Sequence, residues 1–212
     1  MALFPVFGTP PSGIRLERIR RSAHYKDDHF ENPVPTDVTL KDTSFLKMLW
    51  KFFNKPASTV PPHPLPSVHT ELRDLSLEGA RIVWFGHSSY FIKVKDFCML
   101  VDPVFSGNAS PFSFFAKAFR GTDVYGVDDM PSLDVVLLTH DHYDHLDHKT
   151  VLQLDGKTTR FVTSLGVGAH LEYWGIDPAK ITELAGLLKN FQSIFKKEVS
   201  FKVTSVGTGF SK

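Results

Sequence analysis

The run Leu133-Asp134-Val135-Val136-Leu137-Leu138 passes directly into Thr139-His140-Asp141-His142-Tyr143-Asp144-His145-Leu146-Asp147. No other stretch limits the fold of this chain as strongly. An apolar run of this length is expected to form a buried strand, and a strand ending in a histidine-rich loop holds its side chains on a rigid support. At an extended strand end, residues i and i+2 point the same way, so His140 and His142 can share one metal. The tighter turn through Asp144 and His145 can aim that pair at a second metal or at a bound water. A solvated polar loop is the alternative for any single histidine. Three imidazoles and a carboxylate within six residues, directly after a buried strand, point instead to a borderline-soft dication such as zinc.

The same loop, His-x-His-x-Asp-His after an apolar strand, resembles the metallo-β-lactamase fold. Further segments narrow the likeness to the N-acyl-phosphatidylethanolamine phospholipase D branch and its bacterial relatives. They are Phe30-Glu31-Asn32-Pro33, Trp84-Phe85-Gly86-His87-Ser88-Ser89, Leu100-Val101-Asp102-Pro103-Val104-Phe105-Ser106, Ala109-Ser110-Pro111, Met130-Pro131 and Ile181-Thr182-Glu183-Leu184. The resemblance implies an α/β fold, an αββα sandwich of two similar halves with metals between the sheet edges. It implies His140, His142, Asp144 and His145 as metal ligands, with Asp144 also orienting the nucleophile. It places Asp102 behind the metal loop, where a carboxylate accepting a ligand histidine's N–H would fix that ring's tautomer. It places His87 on the floor of the site. From the residues alone, Asp102 reads equally as a strand-end turn residue and His87 as a turn histidine bonded to backbone.

Composition narrows the partners. The chain has 212 residues, 42% apolar and 22% charged, enough for one domain with a sizeable core. Its 24 basic and 23 acidic residues leave a net charge of +1, which gives no reason to expect nucleic acid. The single cysteine, Cys98, excludes an internal disulfide and a multi-cysteine zinc cage. It lies in the apolar run 97–101 and reads as a small buried hydrophobe. The first residues run from apolar to basic, the reverse of a secretory signal, and a cytoplasmic location is the expectation.

Residues 1–66 read as a proline-rich lead-in wrapping a core, and residues 67–212 as the metallo-β-lactamase-like domain. Within the lead-in, 44–53 carries apolar residues at helical spacing. That helix packs on the domain or, on the alternative, makes a peripheral membrane contact. Strands are expected over 81–86, 89–94, 97–101, 160–163 and 180–184, and helices over 147–154 and 165–174. His170, inside the second helix, reads as structural. The aromatic-rich stretch 105–130 either packs against the lead-in or lines a groove for a lipid acyl chain.

The resemblance also implies a second half supplying another histidine, a bridging aspartate and a last histidine. After Leu184 an alternating run over 199–206 reads as a strand, but no histidine follows His170 and no aspartate follows Asp177. The fold expectation is therefore an N-terminal half plus a few further elements, either C-terminally shortened or completed by another chain. One Zn2+ is expected, a second being doubtful without those ligands. The functional expectation is a zinc-dependent hydrolase of small-molecule or lipid phosphoesters. The alternative is a metal-binding or partner-binding protein without turnover, forming a homo-oligomer because a half-fold leaves apolar sheet surface open.

Overall fold

The run 133–138 becomes an interior strand of a six-stranded sheet. This comes from a computed structural model, which describes residues 4–31, 44–76, 78–112 and 116–185. The expected strand over 199–206, together with Asn32, Pro33, Phe114 and Phe115, lies outside the described residues.

Helix α1 (Gly13–Arg20) and a two-stranded ribbon of β1 (Tyr25–Lys26) and β2 (His29–Phe30) come first. Helix α2 (Phe45–Phe53) follows, as the helical spacing predicts. The sheet then forms from β3 (Ala80–Gly86), β4 (Ser89–Val94), β5 (Phe97–Val101), β6 (Leu133–Leu138), β7 (Thr158–Ser164) and β8 (Ile181–Leu184). Its strands lie side by side in chain order. The β3–β4 and β4–β5 pairs are antiparallel, joined by short turns; from β5 to β8 every pair is parallel. Parallel pairing needs crossovers. Helix α3 (His148–Leu154) provides one between β6 and β7, and α4 (Gly168–Tyr173) another between β7 and β8.

Strand alternation divides the core between the two sheet faces. One face carries Phe91, Leu100, Val136, Leu138 and Phe161 against Val151 and Leu154 of α3 and Leu171 of α4. The other carries Met99, Val101, Val135, Leu137 and Val162, with Tyr90, Ile92 and Phe97 packed beside them. Burial on both faces explains why β6 reads as an apolar run interrupted only by the exposed Asp134. Cys98 is buried as expected, and that burial pushes its thiol pKa up. At the sheet edge, Ile82 and Trp84 of β3 are 67% and 69% exposed.

Two details differ from the sequence expectation. The second crossover helix starts at Gly168 rather than Leu165. Gly166 takes a left-handed φ of 97°, and the N–H groups of Gly166 and Gly168 both donate to Glu183 Oε1 at 3.0 Å. A carboxylate, not a helical turn, satisfies these donors. The stretch 105–130, whose sequence shows no regular periodicity, contains a short antiparallel bridge between Asn108 and Lys117 and a 3-10 turn at Val127–Asp129.

Asp147 begins α3 as an N-cap, its Oδ1 accepting from the Lys149 and Thr150 N–H groups at 3.2 and 3.5 Å. Its Oδ2 accepts from the Ser106 N–H at 2.9 Å and the Thr150 hydroxyl at 2.6 Å. One carboxylate thus starts the helix and ties down the loop after β5. Asp147→Ala is expected to cost about 1–2 kcal/mol of stability, read as a lower urea midpoint; an unchanged midpoint contradicts this account.

Candidate metal centre

The metal loop leaves the carboxyl end of β6, and Asp102 leaves the carboxyl end of the adjacent β5, its N–H donating to Leu137 O at 2.9 Å. This registry puts the Asp102 carboxylate, 2% exposed as a residue, directly behind the loop. Its Oδ1 accepts from the Thr139 N–H at 2.8 Å, and its Oδ2 from the Thr139 hydroxyl at 2.6 Å. Oδ2 also lies 2.8 Å from His145 Nδ1.

These contacts determine where the ring protons sit. An ionised carboxylate only accepts hydrogen bonds, so His145 carries its proton on Nδ1. The Thr139 hydroxyl spends its only proton on Asp102, so toward His140 Nδ1, 2.9 Å away, it must accept. His140 therefore also carries its proton on Nδ1. One buried aspartate, acting directly and through one hydroxyl, leaves the Nε2 lone pairs of both rings available. This is the arrangement that metal-ligating histidines require. Thr139 has no assigned role in the sequence reading; its hydroxyl gains one only because β5 brings Asp102 alongside.

The rings converge. His140 and His145 have centroids 3.9 Å apart, and His140 and His142 4.6 Å apart. Burial first, then the neighbouring His145 and His142, holds the His140 pKa below the ordinary imidazole value. The ring is thereby kept in the neutral form that can ligate.

His87 approaches from the β3–β4 turn, with a left-handed φ of 46° that a non-glycine residue adopts only at a cost. The Trp84 indole N–H donates to the His87 carbonyl at 2.9 Å and braces the turn. His87 Nε2 lies 3.0 Å from Asp144 Oδ2, which is 3.7 Å from His145 Nε2. One ligand atom from each of His87, Asp144 and His145 falls within 4.8 Å of the others. Among the described residues, the donor set therefore brings His87 up to Asp144, and His140 beside both His142 and His145. His170 accepts the Thr9 N–H at Nδ1 over 3.1 Å, and its Nε2 lies 3.9 Å from Asp141 Oδ2 of the loop. The ligand atoms brought together, from His87, Asp144 and His145, are the imidazole and carboxylate donors that suit a borderline dication.

Two cavities, each about 380 Å³, share Asp144 and Ala109 in their linings. The first lies between the metal loop and Val6, Phe7, His170 and Trp174. The second is mainly apolar, walled by Phe85, Val104, Ala118 and Phe119, with Lys117 also in its lining.

Sheet, crossover helices and metal loop together describe a mixed α/β protein of the metallo-β-lactamase type. The model of the family described as Beta-lactamase superfamily domain matches residues 98–208, more than half of the chain, and the chain belongs to that superfamily. An uncharacterized protein of Mycobacterium tuberculosis strain H37Rv is 32% identical over 184 residues, covering 84% of this chain and 50% of that protein. A metal-dependent hydrolase of Xanthobacter autotrophicus is 36% identical over 110 residues, covering 52% of this chain and 40% of the relative. The N-acyl-phosphatidylethanolamine-hydrolyzing phospholipase D 1 of Caenorhabditis elegans is 30% identical over 99 residues, 46% of this chain and 26% of that enzyme. The chain spans about half the length of the mycobacterial relative.

Proposed function

We propose that this chain carries the metal-binding part of a zinc-dependent hydrolase that cleaves phosphodiesters, including lipid-like ones. The observation supporting this most directly is the Asp102–Thr139 relay, which sets His140 and His145 with Nε2 free at one point of the loop. His140, His142, Asp144 and His145 would hold the metal, with His87 within reach of Asp144. Zinc, when bound, supplies a Lewis acid and a water whose pKa is lowered toward 7. Asp144 Oδ2, braced by His87, orients a proton-bearing nucleophile between the two cavities. The apolar wall of Phe85 and Phe119 suits an aliphatic arm of the substrate.

A peripheral membrane contact belongs to the same reading. Leu46 and Trp50, one turn apart on α2, are 73% and 66% exposed. Among the described residues, no helix is long and apolar enough to cross a membrane.

The test is zinc stoichiometry together with turnover of bis(p-nitrophenyl) phosphate by purified protein. Zinc-dependent turnover is expected, falling at least about a hundredfold in Asp144→Asn. Neither zinc nor turnover would refute the reading. Zinc bound at stoichiometry without turnover identifies the second reading, a metal-binding or partner-binding protein.

A further inference from the structure

The amino-terminal segment Phe4–Thr9 has no place in the metal chemistry, yet it lies across the site. It forms a 3-10 turn at Pro5–Phe7 and is pinned at both ends by α4 and its C-cap residue. The Trp174 indole N–H donates to the Pro5 carbonyl at 2.8 Å. The Thr9 N–H donates to His170 Nδ1 at 3.1 Å. Between these anchors, Gly8 passes so close to His170 that a Cβ there would collide with Nδ1, and its φ of 64° is left-handed. The segment is therefore a fixed wall. It turns the Phe7 ring toward Tyr143 of the metal loop, with centroids 6.5 Å apart and planes at 75°.

We infer that this segment sets substrate specificity: Phe7, with Tyr143 and Trp174, forms the pocket for a flat, uncharged alcohol arm of the phosphodiester. Asp144 lines both cavities, so a phosphorus held beside it places one substituent on each side. On the Phe7 side the lining holds Phe7, Tyr143 and Trp174 and the carboxylates of Asp141 and Asp144, with no lysine or arginine among the described residues. Aromatic faces reward a planar group packed edge-on or offset, and the carboxylates exclude an arm with further negative charge. Lys117 lines only the opposite cavity. The inference rests on the phosphodiester reading above and adds which arm goes where.

The test is calorimetric titration of the full chain, in the presence of zinc, with diphenyl phosphate and with dimethyl phosphate. Wild type is expected to bind the diphenyl ester about tenfold more tightly. Phe7→Ala, at a half-exposed position, should reduce that preference to within about twofold while leaving dimethyl phosphate affinity unchanged. Gly8→Ala, which drives the segment off His170 without altering a ring, should do the same. A wild type without the preference, or a Phe7→Ala protein that keeps it, overturns the inference. Aryl preference lost in Phe7→Ala, with no turnover of bis(p-nitrophenyl) phosphate by wild type, leaves the specificity wall standing and removes the hydrolase reading alone.

Discussion

Asp102→Asn is expected to weaken zinc binding by about 10- to 100-fold while costing less stability than Asp102→Ala. In the native protein both oxygens of Asp102 accept, from the Thr139 N–H and hydroxyl and from His145 Nδ1. An asparagine keeps one acceptor, which can serve the Thr139 N–H, and turns the other atom into a donor. That donor faces the Thr139 hydroxyl and His145 Nδ1. The hydroxyl can rotate, but the imidazole can respond only by moving its proton to Nε2, the atom needed for the metal. Asp102→Ala removes the acceptors altogether and leaves buried donors unpaired, at about 1–3 kcal/mol. Thr139→Val loses the hydroxyl's bonds to Asp102 Oδ2 and His140 Nδ1 but leaves the Asp102–His145 contact, so its zinc affinity should fall between wild type and Asp102→Asn. Competition with a chromophoric chelator measures all three. An Asp102→Asn protein that binds zinc like wild type would show that Asp102 does not set the His145 tautomer.

The largest stability effect is expected at Glu183, whose side chain is only 2% exposed. Its carboxylate receives Arg15 Nε at 2.9 Å, Arg18 Nη1 at 3.3 Å and the N–H groups of Gly166 and Gly168 at 3.0 Å each. Removing one partner of a buried ion pair strands the others in a poorly solvated site. Glu183→Ala should therefore cost about 3–5 kcal/mol and lower Tm by roughly 10 °C. A shift of under about 2 °C would show that the pair contributes little. The same cluster is acid-sensitive. Hydrogen bonding to Arg15 holds the Glu172 carboxyl below its ordinary value, and its partners hold the Arg15 pKa up. A carboxyl with a depressed folded pKa stabilises the protein above its unfolded pKa. That contribution is lost as pH falls through the folded value. Arg15→Met should therefore flatten the decline of Tm with acidification below the ordinary carboxylate range.

Much of this protein is local and so was legible in the residue order. The buried strand 133–138, the pairs 80–86 with 89–94 and 97–101 and the helix at 45–53 all follow from periodicity within a few residues. His140 and His142 lie beyond the end of β6, with ring centroids 4.6 Å apart and planes at 74°. The start of α4 was not legible, because its first donors are taken by Glu183, more than a dozen residues later.

What the tertiary structure decided is how distant residues act on that loop. Asp102 and Thr139 are 37 positions apart, and only the registry of β5 on β6 turns them into a relay that chooses ring tautomers. His87 reaches Asp144 because the β3–β4 turn folds to the same sheet end. Phe7 reaches Tyr143 because α4 captures the amino-terminal segment. Amino-acid order by itself determined that a histidine–carboxylate loop would follow a buried strand, since backbone periodicity acts over a few residues. Proton positions and cavity walls depend on contacts between segments far apart in sequence, and these exist only once the sheet has aligned its strands.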